Sequence, residues 1–236
     1  MINNINIEQN IAAVRERMDR VSGGRAVTLV AATKMNDAAA IRRAIAAGID
    51  ASGENRVQEM MEKLGQDAYK GAPLHFIGSL QKNKVKFVVG NCDLIHSVNS
   101  LELLEVIAKK AASLSIVQDV LLEVNIAREV SKTGFLPELL PQFLESTEKF
   151  PSVRVQGLMA IPPKSEKNGG NRPYFAQMRE LFIDIGTKKY DNVNMKFLSM
   201  GMSDDFEDAI LEGSNMIRVG TSIFGARDYG KPKTST

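Results

Sequence analysis

Val27-Thr28-Leu29-Val30-Ala31-Ala32-Thr33 is an apolar, β-rich run of strand length, and a helical pattern follows it at once. Asp37 opens that helix, Ile41, Ala44 and Ile45 form its apolar stripe, and Gly48 closes it. The strand-then-helix unit recurs. Short apolar or semi-apolar runs lie near residues 49–53, 74–78, 93–98, 119–125, 154–161, 195–200 and 215–219, and helical patterns follow most of them. Asn99 with Glu102 reads as a capping pair ahead of Leu103, Leu104, Ile107 and Ala111. Pro173 suits the first turn of a helix whose face is Phe175, Met178, Phe182 and Ile185. Ser203 is placed to cap a further helix, with Asp204 and Asp205 in its first turn and Gly213 at its end. Ahead of the first strand, residues 6–21 put Ile7, Ile11, Val14, Met18 and Val21 on one helical face, and Ser22-Gly23-Gly24 ends the pattern.

Alternating strands and helices imply an α/β fold with a parallel sheet. Eight such units in a chain of 236 residues point to a single (β/α)8 TIM barrel, with the N-terminal helix outside the repeat. An open doubly wound sheet is the rival, but no Gly-x-Gly-x-x-Gly turn follows the first strand. The third and fourth units carry the weakest patterns. One domain is expected over residues 1–230, with a disordered tail at 231–236. The loop from Pro162 to Asn171 reads as a mobile segment on the functional side of the barrel.

The formal net charge of +2 gives no pull toward nucleic acid or an anionic membrane. Lys82, Lys84 and Lys86 form one short basic run, read as a solvated helix face. Cys92 is the only cysteine, so an intrachain disulfide and a four-thiolate zinc site are both excluded, which suits a reducing cytoplasm. It lies between Asn91 and Asp93, with no cationic neighbour to activate it. The N-terminal residues show no secretory signal, and no apolar stretch approaches the ~20 residues needed to cross a bilayer. A cytoplasmic protein is expected.

Active sites in such barrels form where strands end and the following loops begin. The last two strands run into Ser199-Met200-Gly201-Met202-Ser203 and Val219-Gly220-Thr221-Ser222-Ile223-Phe224-Gly225. These are the barrel positions where phosphate sites recur. Glycine lets an anion reach backbone amides, and hydroxyls donate further hydrogen bonds. Each group alone reads better as good turn residues; the two together tip the balance toward phosphate. Lys34 ends the first strand on the face of Thr28, Val30 and Ala32. If that face points inward, the amine crowns the mouth, where desolvation favours the neutral form that makes imines. Arg218 shares a face with Met216 and Gly220. It suits the ring nitrogen of a bound cofactor, or equally a salt bridge to a neighbouring strand, for example at Glu123. His75 and His96 lack a third ligand at metal spacing and read as hydrogen-bonded core residues. Met159, Met200 and Met202 read as packing residues that are also able to line a ring pocket.

Leu29–Lys34, Gly53–Glu59, His75–Lys84, Gly157–Pro163, Leu198–Phe206 and Ile217–Arg227, taken in order, closely resemble the YggS/PROSC-like pyridoxal phosphate homeostasis proteins, a family that looks like the barrel domain of alanine racemase. The resemblance implies pyridoxal 5'-phosphate held as an imine on Lys34. It implies phosphate contacts from Ser199, Gly220 and Thr221 with Met200 and Gly201 nearby, Arg218 facing the pyridine nitrogen, and pocket positions at Asn55 and Met159. Arg56 departs from the family pattern, which has a tyrosine there, and Ser79 fills a variable position. The implied role is a cofactor carrier acting in pyridoxal phosphate homeostasis without established catalysis. It would be a monomer serving pyridoxal phosphate-dependent client enzymes, with no nucleic acid, membrane or metal partner. A racemase-like enzyme is the alternative. It needs a second acid/base, which the related racemases take from an added β-domain, and Tyr229 near the chain end reads as an exposed tail residue. A third reading, a site for another phosphorylated metabolite with Lys34 as a simple charge, stays open.

Overall fold

The computed structural model describes residues 6–165, 167 and 169–225. Its eight strands are β1 (Thr28–Ala32), β2 (Ala51–Glu54), β3 (Leu74–Phe76), β4 (Leu94–Val98), β5 (Gln118–Glu123), β6 (Val153–Met159), β7 (Val193–Ser199) and β8 (Met216–Val219). They close into one barrel, every pair parallel, with β8 returning to β1. The open-sheet rival is thereby removed. The helices are α1 (Ile7–Ser22), α2 (Ala38–Ala46), α3 (Val57–Leu64), α4 (Val85–Val88), α5 (Leu101–Ser113), α6 (Leu140–Ser146), α7 (Arg172–Gly186), α8 (Phe206–Leu211) and α9 (Thr221–Phe224). No described helix is long and apolar enough to cross a membrane.

Side-chain alternation along each strand builds two cores. Inside the barrel, Val30, Ala51, Ile77, Leu94, Leu121, Met159 and Met216 form one buried cluster, with Ala32 and Phe197 against it. Outside, Leu29 and Ala31 of β1 and Ile217 and Val219 of β8 pack on α1, α8 and α9. The expected α1 stripe of Ile7, Ile11, Val14 and Met18 is buried there, which seats the extra helix against the β1–β8 side. Burying such a side chain contributes about 1.5–3 kcal/mol.

Several local readings hold. Asp37 caps α2 by accepting from the Ala40 amide at 2.7 Å, and Gly23 ends α1 in the left-handed region at φ 60°. Pro173 sits in the first turn of α7. The weak third unit has a physical basis: β3 is three residues long, and only a 3-10 turn (Lys82–Lys84) and the four-residue α4 follow it. Two caps are corrected. Ser100, not Asn99, caps α5, accepting from the Leu103 amide at 3.2 Å. The strand runs to Val98, so Asn99 is spent leaving it. Likewise Ser203 does not cap α8, which begins at Phe206 with Asp205 at the N-cap position. Met1–Ile5, Glu166, Asn168, Tyr229 and the expected 231–236 tail lie outside the described residues.

Gly157 bends β6. Its φ is +143°, and a Cβ there would overlap the Phe197 carbonyl of β7. The β6–β7 register shifts beside it, between Val155 and Gly157. Gly157→Ala is therefore expected to destabilise the fold by about 2 kcal/mol or more, read as a lower urea midpoint at unchanged slope.

Candidate functional site

The rim at the C-terminal ends of the strands holds a cleft of about 240 Å³. Lys34, Asn55, Arg218, Gly220 and Thr221 wall it, joined by Ala32, Ile77, Ile161, Met202, Ser203 and Asp204. A larger cleft of about 760 Å³ adjoins it, sharing Ile161, Met202 and Asp204, between the loop after β6 and residues 202–208. The smaller cleft is the candidate site, because it gathers an amine, a guanidinium and a glycine-serine turn.

Lys34 stands in the turn just after β1, on the inward face shared with Val30 and Ala32. The next residue, Met35, is held at φ 63°, a conformation that a non-glycine residue adopts only under constraint. The constraint is visible. The Met35 amide donates to Glu59 at 2.7 Å, and the Asn36 side chain donates to the Lys34 carbonyl at 3.1 Å. Beneath the turn, the fully buried Glu54 carboxylate accepts from Lys63 at 2.6 Å, Thr33 at 2.7 Å and Tyr69 at 3.1 Å. Lys63 also donates to the Thr33 carbonyl at 3.0 Å. Burial opposes ionisation of Glu59, but the Met35 amide and the Lys63 and Arg56 charges hold its carboxyl below the usual range. Burial and the Glu54 carboxylate push the Tyr69 hydroxyl well up, so it stays a donor. The amine is thus carried on a turn bolted to α3.

The neighbouring strand end, after β8, meets the loop after β7. The Ser203 hydroxyl accepts from the Gly220 amide at 3.2 Å and the Ser222 amide at 3.4 Å. Two strand-end loops therefore converge on one oxygen, and Thr221 lies between those amides. Arg218, on β8, is buried and lines the same cleft. It donates to Ser199 Oγ at 2.6 Å and to the Ala160 carbonyl at 3.0 Å. Burial lowers its pKa to about 10, which leaves it cationic at neutral pH. The alternative of a salt bridge to Glu123 is not what forms: among the described residues no carboxylate lies within 4.0 Å of Arg218. Glu123 instead accepts from Thr133 at 3.0 Å, and burial raises its pKa. Asn55 adds a buried Oδ1 without a hydrogen-bond partner among the described residues. Gly78 permits this placing, since a Cβ on it would overlap the Asn55 backbone.

Five of the nine site residues expected from sequence meet at this cleft: Lys34, Asn55, Arg218, Gly220 and Thr221. Four are placed elsewhere. The Ser199 hydroxyl is fully buried below Arg218 and bonds His96 at 3.2 Å, so it does not line the cleft. Met159 packs one layer down, inside the barrel. Met200, the neighbour of inward-facing Ser199, points outward into the core between barrel and helices. Gly201, at φ +93°, lets α8 close on the barrel, since a Cβ there would press on Ala209 and Phe206. Its carbonyl accepts from the Arg218 amide at 3.0 Å. Ser203, which the sequence reading placed in the phosphate-type turn Ser199-Met200-Gly201-Met202-Ser203 and also took as a helix cap, was not among those nine and does line the cleft.

Other sequence readings are settled by burial. His75 and His96 are core residues whose rings bond at 3.1 Å, and burial lowers His75 to about 4 and His96 well below its usual value. Cys92 is buried and its thiol is pushed up to about 12. Lys82 and Lys86 are exposed and Lys84 half-buried, as a solvated face requires. Among the described residues no His, Cys, Asp and Glu group is arranged to hold a metal ion.

The family model for the alanine racemase N-terminal domain matches residues 2–228. The chain belongs to that family. Within the family, a pyridoxal phosphate homeostasis protein of Aquifex aeolicus is 42% identical over 232 residues, covering 95% of this chain and 100% of that protein. The structure of PipY from Synechococcus elongatus with pyridoxal phosphate bound superposes with a TM-score of 0.82 at 33% identity, over 93% of this chain and 100% of that one. An alanine racemase of Clostridium difficile 630 shares the fold, with a TM-score of 0.73 at 16% identity, over 94% of this chain and 57% of that one. The alanine racemase-like barrel expected from sequence is therefore the fold of this family member.

The two buried imidazoles make stability pH-dependent. The unfolded rings take up protons below their ordinary value of about 6.5, whereas the folded rings stay neutral to lower pH. Stability is therefore fully present above pH 6.5 and falls as pH drops toward 4, by up to about 1.4 kcal/mol per pH unit for each ring. Urea midpoints between pH 7.5 and 4.5 check this; a flat profile for wild type would contradict it.

Proposed function

We propose that this barrel binds pyridoxal 5'-phosphate and serves its intracellular homeostasis, with the Lys34 amine as the covalent attachment point. One observation carries the reading: an inward-facing amine, a buried guanidinium and the hydroxyl-bearing turn of Ser203, Gly220 and Thr221 line the same cleft of about 240 Å³. That size suits one small metabolite. The residues fit the group. The hydroxyls of Ser203 and Thr221 suit a phosphate, and an anion oxygen that takes the place of Ser203 Oγ would meet the amides of Gly220 and Ser222, which donate to that hydroxyl here. Arg218, a donor-only cation, suits a ring nitrogen that is to stay unprotonated. The unpartnered Asn55 oxygen suits a phenolic hydroxyl. When bound, the cofactor supplies an aldehyde that condenses with a primary amine. The chain supplies that amine on a rigid turn and holds the anion at a fixed distance from it.

The names of the curated relatives and the bound cofactor in PipY support the same reading. In it, residues 1–230 act as one cofactor-binding unit, a cytoplasmic monomer that captures the reactive aldehyde and yields it to dependent enzymes. It is a carrier rather than a racemase.

Purified protein given the cofactor is expected to turn yellow, to be fixed by borohydride on Lys34, and to lose the colour as Lys34→Ala. A protein that stays colourless would leave only a simple phosphate site. Ser203→Ala and Thr221→Ala are each expected to weaken retention by about 1–3 kcal/mol, measured by equilibrium dialysis. A panel of D- and L-amino acids is expected to show no turnover; sustained racemisation would transfer the assignment to an enzyme.

A further inference from the structure

Below the cleft, three hydrogen bonds run in series into the barrel. Arg218 Nη1 meets Ser199 Oγ at 2.6 Å, Ser199 Oγ meets His96 Nδ1 at 3.2 Å, and His96 Nε2 meets His75 Nδ1 at 3.1 Å. All four side chains are buried. A guanidinium donates and never accepts, so the Ser199 oxygen must accept the first bond. Among the described residues His96 Nδ1 is the one acceptor within reach of the Ser199 hydroxyl, so the serine proton turns toward it and that nitrogen is bare. A neutral His96 in that state carries its proton on Nε2 and donates to His75 Nδ1. His75 in turn carries its own proton on Nε2. One cation therefore sets the direction of the whole series, and each member presents its electron-rich side toward Arg218. Hydrogen bonds aligned in this way reinforce one another in a low-dielectric interior.

We propose that His96 and His75 are positioning residues, which act through Ser199 to hold Arg218 as a cation on the cleft with no carboxylate in contact with it. Asp205 and Glu123 favour its charge from a distance. The groups that touch it are dipoles, which fix its place and leave its remaining donors to whatever occupies the site. The geometry of the series stands by itself; the consequence for ligand binding rests on the cofactor reading above.

The chain has only two histidines, so long-range proton–nitrogen spectra of the imidazoles are assignable without ambiguity. Both rings are expected as neutral Nε2–H tautomers from pH 7.5 to 5.5, and Ser199→Ala is expected to move the His96 signals more than those of His75. An Nδ1–H tautomer or a charged ring at His96 would overturn the proposal. Cofactor titration followed by absorbance gives the second readout. His96→Leu is expected to weaken binding by up to about tenfold, the scale of the one hydrogen bond that Ser199 loses. His96→Asn keeps an acceptor facing Ser199 and is expected to bind within about twofold of wild type. If His96→Leu does not fold, Ser199→Ala against wild type makes the same comparison. Binding unchanged in the leucine or alanine variant would remove the positioning role and leave the cofactor reading intact. A wild-type protein that takes up no cofactor would remove that reading, while the tautomers would still decide the direction of the series.

Discussion

The hydrogen-bonded seam between β1 and β8 is the contact on which the site depends. It pairs Thr28 with Met216 and Val30 with Arg218. Without it the first and last strands would be separate edges of an open sheet, and the amine after one would lie far from the amides after the other. With it, Lys34, Arg218 and Gly220 rise from adjacent strands on the same inward face. Parallel strands also deliver all their C-terminal ends to one rim, so six further loops are available to finish the cleft. The N-terminal helix reinforces the same place: α1 packs on α8 and α9, and Asn10 donates to the Ile223 carbonyl at 2.8 Å, so this side of the barrel is braced from outside.

Two buried charges sit close to this seam and are handled differently. Glu54 and Lys63 form an ion pair in which Thr33 and Tyr69 add hydrogen bonds to the carboxylate. Removing one partner of such a pair typically destabilises by about 3–5 kcal/mol, whereas the intact pair adds little net stability. Its value lies in geometry, because it fastens the strained turn that presents Lys34. Arg218 touches neutral partners instead, Ser199 and the Ala160 carbonyl, with Asp205 and Glu123 acting on it only from beyond contact distance. The pair is closed on itself, whereas Arg218 also lines the cleft.

Much of this architecture was legible before any coordinates, for local reasons. Alternation put Lys34 on the face of Val30 and Ala32, and Arg218 on that of Gly220, and both proved inward. Asp37, Pro173 and Gly23 carry their roles within a few residues of chain. Alternation would also have turned Met200 away, since it follows the inward-facing Ser199. The choice between Ser199 and Ser203 was not readable in that way. It depends on Gly201 at φ +93°, which reverses the chain so that the second hydroxyl reaches the amides of the next loop. The network of Glu54, Lys63 and Tyr69 spans two elements and a loop with no shared period, and the pair of histidines comes together only when β3 and β4 are neighbours. Contacts between elements, rather than within them, are what the linear pattern leaves out.

The burial of Cys92 has a consequence for chemical selectivity. Thiols add to carbonyls and react with oxidants, and they do so as thiolates. This one is enclosed beside Val88 and Val89 in the outer core, with its proton held up to about 12. The molecule's single sulfhydryl is thereby withdrawn from reaction with electrophiles and oxidants that reach the surface.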